Sequence, residues 1–340
     1  STEPIADLIH RMGGSESREP ERPSRRPSPP LVRWPSPPPA RRPSPPPKPP
    51  PSPPLLSSPW RVSRPLNSEN LSMLKMRVEN YSLRSDLKAT QARILMLGPV
   101  GAGKSSFFNT INSIFQDRIT QQSIAGSATG SLTMMYRQYE VRSMTTGRAM
   151  NFRLCDTCGV ENNRGPDLAD LNYLLEGNVP DGYTFNSTTS ISSDIKGFIH
   201  KPELQDKVHC VVFLFDANSV KGTNQDVWDK LNQLQNRMNT KGIPRVIVLT
   251  KIDKLLDSAD KDLSKVFFSK DVKKAVEYAS EKLRVPLGNV MPIKNYENEI
   301  DLDDQISCLA LQALDRMLGY AIDYLVNQLD LMKLSLNTTA

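Results

Sequence analysis

Apolar residues gather in runs at 92–98, 132–141, 149–154, 208–216 and 245–249, with a shorter run near 289–296. Between the runs, apolar positions recur every three or four residues, the spacing of one helix face. Phe107, Phe108, Ile111 and Ile114 mark a helix over 104–115, and Leu168, Leu171 and Leu175 mark another from Pro166 to Gly177. Val227, Leu231, Leu234 and Met238 stripe a third, which Gly242 closes. Further helices are predicted around Leu71, Leu74 and Val78, over 266–283, and along Ile306, Leu309, Ala313, Met317, Tyr320 and Tyr324. The distal end of that last helix is also a candidate partner surface. The runs 208–216 and 245–249 are almost continuously apolar, as strands covered on both faces are. Stretches 118–131 and 182–201 read as a loop and an irregular insertion. Strands alternating with helices predict an α/β domain with a mostly parallel sheet and helices on both faces.

The first run leads into Gly98-Pro99-Val100-Gly101-Ala102-Gly103-Lys104-Ser105, which is G-x-x-x-x-G-K-S between a strand and a helix. Gly98, Gly101 and Gly103 let backbone wrap a phosphate, while N–H groups at the helix start face the anion. Lys104 is the cation for the β- and γ-phosphates and a catalytic group. The Ser105 hydroxyl is a ligand for Mg²⁺, and Ser106 follows it in the same turn. At the end of the run 149–154 stands Asp156-Thr157-Cys158-Gly159, a D-x-x-G. Asp156 would hold Mg²⁺ through water and the Gly159 N–H would meet the γ-phosphate; a strand-ending Asx turn is the plainer reading. A threonine closing over the metal is expected between the two motifs, Thr133 first and Thr129 second, although either could be an ordinary strand or loop residue. Thr250-Lys251-Ile252-Asp253 follows the run 245–249 and fits a guanine reader. The Asp253 carboxylate would accept N1–H and N2–H, a donor pair adenine lacks, and the Lys251 stem would cover the base. Thr250 in place of asparagine loses an amide contact. Ile293 and Lys294 are expected to bring a backbone N–H to the guanine O6. The expected ligands are therefore GTP and Mg²⁺.

The wording of these motifs is more specific than their spacing. The stretches 94–109, 154–157 and 292–296 resemble the interferon-induced protein 44-like family of vertebrates, over roughly 59–328. That resemblance implies a P-loop, GTPase-like fold in a cytoplasmic GTP-binding protein of interferon-responsive antiviral immunity. Some members carry a TLD-type domain ahead of the GTPase part, where this chain has a proline-rich segment. Efficient GTPases often place a water-orienting glutamine after D-x-x-G. Here Val160 stands there, followed by Glu161 and Asn162. Slow hydrolysis is expected, with Glu161, a second copy of the chain or a partner supplying the missing group. Two other readings stay open. In one, nucleotide is a permanent structural ligand and the protein is an adaptor; in the other, an ATPase or small kinase uses Asp216 as its Mg²⁺ aspartate.

Composition divides the 340 residues near position 66: of 28 prolines, 21 lie at or before Pro65. Residues 1–66 hold 11 of 43 Lys/Arg and 5 of 37 Asp/Glu, leaving 32 of each sign for 67–340. The net charge of +6 thus belongs to the first segment, and the remainder gives no argument for nucleic-acid binding. Pro-Ser-Pro-Pro recurs at 27–30, 35–38, 43–46 and 51–54. Such a run favours polyproline II and buries too little apolar surface to order itself, so a disordered tail over 1–66 is expected ahead of a domain over 67–340. Pro20/Pro23/Arg25 and Pro43/Pro46/Lys48 fit ligands of SH3 or WW domains, and Ser28, Ser36, Ser44 and Ser52 precede prolines. An inert tether is the alternative. Four cysteines fit a reduced interior, and Cys155-x-x-Cys158 lacks the companions of a zinc site. His209 reads as a core histidine. No stretch is apolar enough for a membrane span, and a cytoplasmic location is the default.

Overall fold

The computed structural model describes residues 55–123, 135–161, 165–186, 189–256 and 262–338. Its centre is one six-stranded sheet of β1 (Ala92–Leu97), β2 (Arg137–Arg142), β3 (Ala149–Asp156), β4 (Cys210–Asp216), β5 (Arg245–Thr250) and β6 (Val290–Pro292), in the order β2-β3-β1-β4-β5-β6. Only β2 runs antiparallel; every other pairing is parallel. The helices are α1 (Ser68–Glu79), α2 (Lys104–Phe115), α3 (Leu168–Glu176), α4 (Gln225–Lys241), α5 (Lys270–Leu283) and α6 (Asp304–Thr338). One group packs α6 on β1, β4 and β5 and against α1 and α2; the other joins α3 to α4 and α4 to α5. This is the P-loop, GTPase-like α/β fold, with the loops after β1, β3 and β5 at the same end of the sheet.

The buried central strands explain why the pattern was readable. β1 and β4 face helices on both sides, so Leu95, Leu97, Val211 and Phe213 are as buried as Ile94 and Val212. Helix ends follow their caps: Asp167 and Asp170 form a capping box at the start of α3, and Gly177 closes it at φ 79°.

Two elements differ from expectation. Within the run 132–141, β2 begins at Arg137 among the described residues, because the N–H and C=O of Tyr136 bond to Tyr183 and Gly182 rather than to β3; residues 124–134, and with them Thr129 and Thr133, lie outside the described residues. The helix expected over 266–283 is split into 3₁₀ turns at Leu263–Phe268 and then α5. Ser269 caps α5, its Oγ accepting from the Val272 N–H at 3.3 Å. The carbonyls that a longer helix would use accept instead from an upstream strap: Trp60 Nε1 donates to Val266 O (3.2 Å), Trp60 N to Phe267 O (2.8 Å) and Leu56 N to Phe268 O (2.8 Å). Trp60 lies against Phe267, and the Arg61 guanidinium donates to Val290 O at 2.7 Å and to Leu287 O. Among the described residues, contacts of the globular unit thus reach back to Leu55, ahead of the compositional division at residue 66. Helix α6 buries side chains as far as Leu329, beyond which Leu331 and Leu334 are exposed.

His209 is a core histidine. Its Nδ1 accepts from the Arg93 N–H at 3.0 Å and its Nε2–H donates to Leu204 O at 2.9 Å. Burial lowers its pKa from 6.5 to about 4. The neutral form is bound in the fold, so this contribution is full above pH 6.5 and is lost as pH falls towards 4. The loss is about 3 kcal/mol by linkage, and urea unfolding across that range should show it in the wild type and not in His209→Asn.

Candidate functional site

The turn after β1 is built by backbone that favours glycine. Gly98 has φ 153°, and a Cβ there would lie 2.1 Å from Leu214 O on the neighbouring strand. Gly101 and Gly103 have φ of 75° and 85°, and the Gly103 carbonyl accepts from the Phe107 N–H to begin α2. Lys104 and Ser105, the first two residues of α2, are both buried beneath the turn. Lys104 Nζ donates to Gly98 O and Pro99 O, each at 3.0 Å. Burial lowers the Lys104 pKa, against the opposing pull of Asp156. Ser106 follows, half-buried.

Asp156 arrives from the end of β3. Its Oδ2 accepts from the Ser105 hydroxyl at 2.6 Å, while its buried Oδ1 has no hydrogen-bond partner among the described residues. Burial raises its pKa, and Lys104 and Ser105 pull the other way. A buried carboxylate oxygen without a partner, beside a hydroxyl, is the donor chemistry of a hard divalent cation, so the residues fit Mg²⁺. No cluster of three or more His, Cys, Asp or Glu suited to a metal occurs among the described residues.

The D-x-x-G backbone lies directly on the phosphate-binding turn. A Cβ on Gly159 would lie 2.3 Å from Val100 Cγ2 and 2.7 Å from Val100 N. The next N–H, of Val160, donates to Gly98 O at 3.0 Å, and the valine side chain is fully buried. Glu161 is half-buried, and its carbonyl accepts from Lys230 Nζ at 2.8 Å. It lines a cavity of about 480 Å³ with Val100, Asp216 and Lys251.

The turn after β5 meets the same loop from its other side. Thr250 is buried, with Oγ1 2.9 Å from Ala102 O. Lys251 adopts the left-handed conformation (φ 56°) and sends Nζ to Gly101 O (3.0 Å) and Asp216 Oδ2 (2.8 Å). The half-buried Asp253 carboxylate makes no hydrogen bond or ion pair among the described residues. Motifs 98–105, 156–159 and 250–253 thus converge on one end of the sheet.

Two expectations change in detail. Ile293 cannot offer its N–H to a base, because it is buried and donates to Leu249 O at 2.8 Å, continuing the ladder between β5 and β6. Lys294, the next residue, retains that place, with its ammonium paired to Glu299. Asp216 is committed elsewhere: burial raises its pKa, but bonds from Lys251 and Asn218 lower it below the usual value overall. The carboxylate beside Ser105 is Asp156, which removes the basis for an ATPase built on Asp216. The residue that sequence reasoning missed is Asn295, whose Nδ2 donates to Gly103 O at 3.1 Å. All four cysteines are buried free thiols, and burial raises Cys155 to about 11 and Cys158 to about 12, so the C-x-x-C is an inert pair. No helix among the described residues is long and apolar enough to cross a membrane.

No family model matches the chain. It is 36% identical over 236 residues to interferon-induced protein 44 of Pan troglodytes, covering 69% of this chain and 53% of that protein. It is 34% identical over 259 residues to interferon-induced protein 44-like of Homo sapiens, covering 76% and 57%. The mouse (Mus musculus) interferon-induced protein 44 is 32% identical over 254 residues, covering 75% and 60%. The chain spans between half and two thirds of the length of these relatives. Among solved structures, it is similar to Toc33 from Arabidopsis thaliana (14% identity, TM-score 0.41, covering 76% of this chain and 92% of that one) and to Era from Aquifex aeolicus bound to GDP and aluminium fluoride (16%, 0.36, 68% and 56%). At such scores the likeness adds nothing to the fold already read from strand order and loop geometry. The sequence relatives carry the assignment: the chain belongs to the interferon-induced protein 44 family.

Proposed function

We propose that this protein binds guanine nucleotide with Mg²⁺ as a slow GTPase switch in interferon-induced antiviral immunity, acting in the cytoplasm. One observation carries the nucleotide reading. The Lys251 ammonium reaches Gly101 O, which sets the turn bearing the unpaired Asp253 carboxylate directly beside the phosphate-binding loop. A nucleotide whose phosphates lie on 98–105 presents its base to that turn. There the carboxylate accepts from N1–H and N2–H, and the Lys251 stem covers the ring. Lys104 exchanges its two carbonyl partners for phosphate oxygens. Ser105 and Asp156 would hold the metal, which when bound neutralises charge developing on the β- and γ-phosphates.

Slow turnover is supported by Val160, whose side chain has no polar atom to orient water and is buried against the loop. The same burial favours a second reading, an adaptor that keeps GTP without hydrolysing it and engages SH3 or WW domains through PxxP motifs in 1–66. Phosphate release from the purified protein separates them: slow turnover supports the switch and its absence the adaptor. The place in the interferon response is inferred from the names of the relatives. A homodimer could supply the group that Val160 lacks.

Asp253→Asn tests the base assignment. The amide keeps one acceptor and presents a donor to guanine N–H, so GTP affinity should fall by about a hundredfold while ATP affinity stays level. A GTP-over-ATP preference unchanged in this variant would refute the assignment.

A further inference from the structure

The 250–253 motif begins with threonine, which lacks the amide that asparagine would bring, yet an amide stands at the same place. Resting on the guanine-nucleotide reading above, we propose that Asn295 is a positioning residue for guanine recognition, latching the base-reading turns to the phosphate-binding loop. Its Nδ2 donates to Gly103 O at 3.1 Å across 192 positions of sequence, and its Oδ1 lies 3.4 Å from Thr110 Oγ1 on α2. The residue is 9% exposed. A Cβ on Gly103 would come within 2.9 Å of that Nδ2 and 3.3 Å of both Thr250 Cγ2 and Oγ1. Gly103 thus leaves room for Asn295 and Thr250 to meet the loop together. Thr250 is bonded to Ala102 O and Asn295 to Gly103 O, so two side chains from different strand ends hold consecutive carbonyls.

The rest of the turn is fixed around this latch. The Tyr296 N–H donates to Thr110 Oγ1 at 3.0 Å, and the Tyr296 hydroxyl lies 2.7 Å from Ser307 Oγ on α6. On the other side, the Ile252 N–H donates to Ile293 O at 3.4 Å, joining the turn that carries Asp253 to the one that carries Lys294. Lys294 lies between these attachments. Removing the Asn295 amide loosens the turn that carries Lys294 from the loop, and through the Ile252–Ile293 bond strains the turn that Thr250 and Lys251 still hold, without touching Lys104, Ser105 or Asp156. The latch therefore acts on base recognition and spares the phosphate seat.

The test compares GTP with inorganic tripolyphosphate, both with Mg²⁺, on the full chain. Asn295→Ala should weaken GTP about tenfold, the worth of one buried hydrogen bond, and leave tripolyphosphate affinity unchanged. Adding Thr250→Asn to that variant should recover most of the loss, because the amide returns from a residue already beside Gly103. Asn295→Leu keeps the volume and lacks the donor, and serves if the alanine variant does not fold. Unchanged GTP affinity, parallel loss of both ligands, or no recovery with Thr250→Asn would each overturn the latch. A wild-type protein without preference for GTP over ATP would instead overturn the guanine reading itself, so the two failures are distinguishable.

Discussion

Lys104→Ala is expected to weaken triphosphate binding by about a hundredfold or more, the scale seen when one partner of a buried charged contact is removed. The free protein already holds the ammonium in a costly place. Burial lowers its pKa, and its compensation comes from two backbone carbonyls and the nearby Asp156. Removing it relieves a desolvated cation and leaves Asp156 with less positive charge nearby, two effects on stability of opposite sign. The melting temperature should therefore move little while isothermal titration shows the loss of ligand. Retained affinity would mean that the loop 98–105 is not the phosphate seat.

Gly98→Ala should be among the most damaging single methyl groups in the domain. The added carbon would stand 2.1 Å from Leu214 O and 3.1 Å from its carbonyl carbon, and both are backbone of β4. Neither can retreat without parting β4 from β1, whose register pairs Leu97 with Phe213. The dihedral adds its own penalty at φ 153°. A loss above about 4 kcal/mol, or no soluble protein, is expected. Gly101→Ala provides the contrast, since no atom lies within 4 Å of its would-be Cβ. It should cost only about 1–2 kcal/mol, the left-handed conformation alone. Urea denaturation of the two variants separates close approach from backbone strain, and equal losses would contradict the packing described for Gly98.

Much of this arrangement was legible in the sequence because local chemistry and fold agree. The helix after the phosphate-binding turn begins and ends at its predicted residues, 104 and 115, since glycine fixes its start and apolar spacing its length. The strands β4 and β5 announced themselves through runs that only two-sided burial explains. What escaped depends on partners far away in the chain. Asn295 is an ordinary polar residue until Gly103 is beside it. Leu56 and Trp60 sit close to a proline-rich segment, yet their donors decide that Val266–Phe268 do not join α5. The N–H of Ile293 matched its motif by position, but the last rung of a parallel ladder claimed it. In each case the sequence showed the group and not its competitor.

On the proposed reading, the ends of β1, β3 and β5 form one guanine-nucleotide site. Its most direct measurement is displacement of a fluorescent GTP analogue from the purified protein by unlabelled GTP and by ATP, in the presence of Mg²⁺. GTP should compete at least about a hundredfold more effectively than ATP, the scale of discrimination by a buried polar pair left unmatched. Equal displacement by the two nucleotides, or failure of the analogue to bind, would contradict it.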